Sequence, residues 1–376
     1  MDDERRELVR RMLERRGIVT APQHQISVRS DRANVLSLPQ QRLWFLHQLH
    51  PDSSACNLSA ALRLSGSLNR PALERALASV VARHDALRSG FPNIGGEAAL
   101  LVHPHVDVVV VHHDYADVDP REREEQVRKL LVAQADAPFD LARAPLVRAA
   151  LVRLASDEHV LAITAHHIVF DGWSIAILIR ELAAHYGAAL GGAAADLPRL
   201  PIGYADFAGW QRERLASGGW EADVSYWTRQ LADLPPTTLP SDRARPAIAS
   251  LRGSTIRFAL PDGLVDRLRN LGRAHEATLF MTLLAGYLAL LGRYTGQSDV
   301  AIGSPIAGRA REEVEGLIGL FVNTLVLRGD LSGSPPFAER LRAAEAGAAP
   351  THAIQTIPRS IMRSTRSILD TPRSGD

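Results

Sequence analysis

The stretch HHIVFDGWS, residues 166–174, sets two adjacent histidines at the end of an apolar run, with an aspartate and a glycine four and five residues after the second histidine. A histidine, with an ordinary pKa of ~6.5, suits proton transfer near neutral pH. Three readings compete: a buried histidine bonded to backbone beside an ordinary Asp-Gly turn, a metal site, and acid–base catalysis. A metal site needs a third ligand, and the chain offers neither HExxH nor clustered carboxylates. Cys56 is the only cysteine, which excludes an intrachain disulfide and a cysteine-based zinc site. The chain carries its own control. VHHDYADVD at 111–119 also pairs two histidines with aspartates, but without Asp-Gly or a capped helix, and reads as structural.

The elements that must hold these residues follow from the hydrophobic pattern. HVLAITAHH, 159–167, is a short apolar run and predicts a buried strand. Side chains alternate across a strand, so Leu161, Ile163, Ala165 and His167 share one face and His166 points the other way. Only one of the two histidines then serves a given site. Gly172 breaks the strand, and Ser174 is placed to cap a helix over 174–190 whose Ile175, Leu178, Ile179, Leu182 and Tyr186 share a face. Asp171 falls just before a helix N-terminus, where a carboxylate is favoured. Upstream, 145–167 reads as a hairpin turning near Ser156 and Asp157, with helices over 71–88 and 121–141, the latter ending before Pro138. Strands are expected within 60–69 and 100–114, and in the second half an apolar helix at 277–292 precedes segments at 299–309 and 317–331.

A chain of 376 residues, 46% hydrophobic, predicts two lobes. Its 43 basic and 42 acidic residues leave a net charge of +1, which argues against nucleic acid or an anionic membrane as an electrostatic partner. Lys129 is the only lysine, a bias consistent with a GC-rich genome. The longest apolar stretch, 277–292, is shorter than the ~20 residues of a membrane span. The start, MDDERRELVRRMLERRG, is charged and helical rather than a secretory signal, so a soluble cytoplasmic protein is expected. The expected divisions are a helix and linker over 1–35, a first lobe over 36–195, a second over 196–350, and a tail over 351–376.

HHxxxDG resembles the active-site motif of the condensation domains of nonribosomal peptide synthetases, within the chloramphenicol-acetyltransferase-like superfamily. Companion stretches occur in order: SLPQQRLW (37–44), RHDALRSGF (83–91), YADFAGWQ (204–211) and IGLFVNTLVLR (318–328) are similar to the family's first, second, fourth and fifth motifs, and PFDLARAPLVRAAL (138–151) to the pattern between motifs. The resemblance covers roughly 35–345. An HQDxPFE-like sixth motif is not found, and from Thr351 the tail contains no glutamate and shows no apolar period, as a truncated or shifted reading frame would. The resemblance implies an α/β fold of two chloramphenicol-acetyltransferase-like lobes, each a mixed sheet with flanking helices, forming a V, with the second lobe incomplete.

It further implies amide bond formation between two thioesters on phosphopantetheine arms of upstream and downstream carrier domains, beside an adenylation domain, in a monomer that binds no cofactor of its own and no metal. His167 is implied as the catalytic residue and His166 as its support. Asp171 is implied to pair with an arginine and hold the loop, with Arg88 the first candidate and Arg83 the second. Gly172 is expected to allow close approach, and Trp173, Ser174, Ser304 and Asn323 to line the tunnel. A starter condensation domain, a stand-alone acyltransferase, and an inactive remnant or carrier-binding module are the alternatives. A second lobe without its later strands is expected to leave this chain unable to turn over.

Overall fold

The computed structural model describes residues 25–28, 35–244, 246, 253–333 and 337. The helix expected near the N-terminus and the tail from Thr351 lie outside them. The elements in chain order are α1 (Leu38–Leu49), β1 (Asn57–Ser65), α2 (Arg70–Arg83), β2 (Val110–Asp114), α3 (Pro120–Asp136), β3 (Val147–Ala155), β4 (Glu158–His166), α4 (Gly172–Gly191), α5 (Tyr204–Ala216), α6 (Glu221–Gln230), α7 (Leu264–Ala274), α8 (Leu279–Thr295), β5 (Asp299–Ile306) and β6 (Asn323–Asp330). The result is the expected α/β class.

The main sheet has the order β1-β4-β3-β2, with β2 and β3 parallel and the other pairs antiparallel. On one face Ala149, Leu151, Leu161, Ile163 and Ala165 pack with Leu73, Leu77 and Val80 of α2 and with Ile177, Leu178 and Leu182 of α4. On the other, Val152, Leu154 and Val160 meet Val127 of α3. Both faces are covered, so β4 reads as a continuous apolar run rather than an alternation. The β3–β4 hairpin turns at Ser156 and Asp157, as expected.

Three expectations need correction. The helix predicted to reach Arg88 ends at Arg83; His84 is extended, and Asp85–Arg88 form a separate 3-10 turn. The side chains of His84 and Asp85 are drawn into buried contacts with later segments, which a continuous helix would forbid. The strand predicted over 100–114 survives only as Leu101–Val102 and β2, because Pro104 has no N–H to give a ladder. The inward face of α4 is Ser174, Ile177, Leu178, Glu181 and Leu182, while Ile179 is exposed. Two buried polar anchors, Ser174 and Glu181, set that facing, and hydropathy places both outward.

In the second half β5 and β6 pair antiparallel, and Leu284, Ala285, Leu288 and Leu291 of α8 pack with Val300 and Leu327 beneath. The opposite side of α8 presents Phe280, Leu283, Tyr287, Leu290 and Tyr294 to solvent. The first core continues across the linker: Tyr204, Phe207, Leu317, Ile318, Leu320 and Phe321 belong to the same apolar cluster as α2 and α4. Among the described residues no single helix is long and apolar enough to cross a membrane.

The facing of α8 has a direct test. Leu288→Ala is expected to lower stability by about 2–5 kcal/mol in urea unfolding, and Leu290→Ala, on the exposed side, to stay within about 0.5 kcal/mol. Equal losses would contradict this packing.

Candidate active site

β4 ends at His166, and the chain turns through 167–169 before α4 begins at Gly172. The two histidines have different surroundings. His166 is 2% exposed, with its ring edge-on to His47 and Phe139 at 6.2 and 6.1 Å between centroids. Its Nδ1 accepts the Ile168 N–H at 3.2 Å. Burial first, then the neighbouring His47, His167 and Arg148, lower its pKa to about 3. His166 is therefore neutral at pH 7 and serves as an anchor of the turn.

His167 is half-buried, and its N–H donates to the Cys56 carbonyl at 2.8 Å. Its Nδ1 lies 2.7 Å from the Phe170 carbonyl. A carbonyl only accepts, so Nδ1 carries a proton, and in the neutral ring the lone pair is then on Nε2. Nε2 has no hydrogen-bond partner among the described residues. This is a ring with a set tautomer and a basic nitrogen free to meet an incoming proton.

Asp171 is 1% exposed and caps α4. Ser174, expected as the cap, sits instead at the third helical position, donating to Asp171 Oδ1 from its N–H at 2.9 Å and its hydroxyl at 2.7 Å. The carboxylate is the stronger acceptor at a helix start, and this placement lets two of its donors come from its own helix.

Asp171 pairs with neither expected arginine. Arg88 donates to the carbonyls of His103 and Pro104. Arg83 reaches Glu181 at 3.2 Å and the Pro198 carbonyl. The partner is Arg309, whose Nη2 lies 3.1 and 3.2 Å from the two carboxylate oxygens. Its Nη1 donates to the carbonyls of Val314 and Leu317, both at 2.7 Å, and its guanidinium stacks on Phe321 at 4.1 Å. The Phe321 N–H completes the carboxylate's shell at 3.1 Å, two residues before β6 begins at Asn323. Burial pulls the Arg309 pKa down, and Asp171 opposes it. Arg309 closes the run GSPIAGR, 138 residues from its partner, and no local pattern links the two.

The remaining expected residues are scattered. Gly172 is exposed, and an added Cβ there meets nothing within 4 Å, so no protein group requires a glycine. Trp173 is exposed. Ser304 lies on β5 opposite Leu325. Asn323 is buried at the start of β6 and lines a cleft with Pro39, Phe207, Trp210, Gln211 and Phe321, a wall that Ser304 does not join. Among the described residues no group of three or more His, Cys, Asp or Glu is placed to hold a metal. In the control stretch His112 bonds Glu74 at 2.7 Å and His113 rests on Tyr115.

Residues that the sequence left unassigned hold this site together. His84 Nδ1 accepts the Ile318 N–H at 3.2 Å, so Nε2 donates to Glu181, at 2.8 Å. Burial alone raises the Glu181 pKa, but His84 and Arg83 bring it below the usual range. The Asp85 carboxylate accepts the N–H groups of Tyr204 and Ala205 at the start of α5. The Tyr204 hydroxyl meets Ser37 at 2.8 Å and donates to the Leu320 carbonyl at 2.6 Å. The Gln211 side chain accepts the Leu38 N–H. All of them but Glu181 lie in the quoted motifs, which mark that they matter but not what they bind.

The family model described as Condensation domain matches residues 31–367, past the Thr351 at which the motif pattern breaks off. One of the subunits of the linear gramicidin synthase of Brevibacillus parabrevis is 42% identical over 346 residues, 92% of this chain and 4% of that protein. The chain thus spans a small fraction of that relative. The X-domain from teicoplanin biosynthesis superposes with a TM-score of 0.82 at 30% identity, over 92% of this chain and 76% of that chain. The first condensation domain of the calcium-dependent antibiotic synthetase, in complex with a substrate analogue, gives 0.75 at 25% identity, over 89% and 78%.

Removing either member of a buried pair leaves an uncompensated charge, at a cost of about 3–5 kcal/mol. Asp171→Ala and Arg309→Ala are each expected to lose that much stability, and the double mutant at least about 1 kcal/mol less than their sum. Arg88→Ala should add to Asp171→Ala without coupling. Strict additivity for Asp171 and Arg309 in urea unfolding would contradict the pair.

Proposed function

Because the chain belongs to the condensation-domain family of nonribosomal peptide synthetases, we propose, against the expectation of a chain unable to turn over, that it joins a carrier-bound acyl or peptidyl thioester to the amine of a carrier-bound aminoacyl group, with His167 handling the proton. The observation that supports this reading is the 2.7 Å bond from His167 Nδ1 to the Phe170 carbonyl, which in the neutral ring leaves the Nε2 lone pair available to take a proton. Both substrates ride on phosphopantetheine arms of partner carrier domains, loaded by an adenylation domain. The reaction belongs to the cytoplasm, beside the other synthetase modules.

The chemistry asks little of the protein. A thioester is already activated, and an α-amine with a pKa near ~8 is partly neutral at pH 7. Holding the two ends together supplies much of the acceleration. The amine nitrogen attacks the thioester carbon, a C–N bond forms, and the carbonyl electrons move to oxygen. Nε2 takes the proton from the positively charged nitrogen. As the carbonyl re-forms the C–S bond breaks, and the proton passes to the departing thiolate. His166, neutral and buried, takes no part in the transfer. Asp171 holds the start of α4 and does not touch the reacting atoms.

His167→Ala is expected to lower the rate of dipeptide formation by at least about 100-fold, the lower range for a proton-transfer group, while both carriers still load. The measurement is single-turnover product formation from preloaded carriers. An unchanged rate would remove His167 from the chemistry.

A further inference from the structure

We propose that Gln40 is a positioning residue for His167: from another helix, it grips the turn that sets the histidine's tautomer. This rests on the proposed role of His167 and extends it to a side chain that touches no reacting atom. The turn is held at its ends by the His167 N–H on the Cys56 carbonyl and by the helix-capping Asp171, and has few holds between them. The Val169 and Phe170 N–H groups bond back to His166 and His167 carbonyls at 3.1 and 3.3 Å, and the latter bond is long. Two side-chain bonds meet on Ile168. Its N–H is taken by His166 Nδ1 at 3.2 Å, and its carbonyl accepts from Gln40 Nε2 at 3.1 Å. The residue next to His167 is thus held on both sides by buried side chains, and is itself fully buried.

The Gln40 amide has no freedom to turn over. It is fully buried, and its Oε1 accepts the Ser37 N–H at 3.1 Å, so Nε2 must face Ile168. Ser37 is fixed in turn by the Gln40 N–H on its hydroxyl and by the Tyr204 hydroxyl, which also meets the Leu320 carbonyl. The grip therefore runs from the 317–321 segment through α5 and α1 into the turn.

What the grip controls is a direction. Phe170 lies two residues beyond Ile168, and its carbonyl must point at His167 Nδ1 to keep the proton there. With the Ile168 carbonyl released, the peptide planes of 168–170 can rotate. The Phe170 carbonyl then leaves Nδ1, and the ring proton divides between the two nitrogens. Each ring with its proton on Nε2 has lost its base.

Gln40→Met keeps the length of the side chain and removes the donor. In 15N-histidine NMR near pH ~8, where ordinary histidines are neutral, the unaltered chain is expected to show His167 with Nδ1 protonated and Nε2 bare. Gln40→Met is expected to show both tautomers. In the dipeptide assay kcat should fall about 10–100-fold, the scale of a misplaced catalytic group, with KM for the carriers within about twofold. Gln41→Met, an exposed neighbour on the same helix, should move neither readout. If Gln40→Met does not fold, Gln40→Asn keeps an amide that is one methylene too short to bond Ile168, and is read the same way. A single unshifted tautomer in the folded variant would overturn the proposal, whatever the activity. If the unaltered chain forms no dipeptide the proposed reaction fails instead, and the tautomer measurement still decides Gln40.

Discussion

Two opposite charges that cannot reach water organise this molecule. The side chains of Arg309 and Asp171 are 2% and 1% exposed. Ions buried that deeply cost several kcal/mol each unless their hydrogen-bonding capacity is filled. The carboxylate takes donors from Ser174, Arg309 and Phe321, and the guanidinium gives to Asp171, Val314 and Leu317, with only its Nε left without a partner among the described residues. These groups come from α4, from the segment after β5, and from the approach to β6. The first half of the chain cannot satisfy Asp171 without the second. Because Asp171 follows Phe170 directly, its position also fixes the far end of the turn that carries His167.

The other shared motifs repeat this logic at one remove. Each supplies a buried polar side chain whose partner lies on a distant segment: His84 with Ile318, Asp85 with the start of α5, Tyr204 with Ser37 and Leu320, Gln40 with Ile168. Two glycines mark how closely these segments pack. A Cβ at Gly319 would run into the Tyr204 ring, and one at Gly203 into the Asp85 carboxylate. Most of the motif residues therefore hold a scaffold together. His167, half-buried with its Nε2 free of protein partners among the described residues, is the one placed to meet a substrate.

What the sequence made legible follows the range of the forces involved. The apolar run at 159–165, the hairpin turn at Ser156 and Asp157, and the carboxylate before α4 are local features, and they lie where they were expected. The break at His84 was invisible because the helix propensity of 71–88 continues through it. The inward turn of Glu181 was invisible because a glutamate reads as solvent-facing until its partners are known. Resemblance points to RHDALR for the arginine that pairs with Asp171, and the partner lies in GSPIAGR. Sequence distance carries no information about which buried charges must meet.

The most direct measurement is amide hydrogen exchange at Phe321. Its N–H lies outside any strand or helix and donates only to Asp171, so the ladder of β6 cannot protect it. If the buried pair locks the two halves together, the Phe321 amide should exchange only through global unfolding, with the same free energy as the core amides of β4. Exchange at the rate of an open loop, while β4 stays protected, would show that the halves part without unfolding and that Asp171 does not hold them.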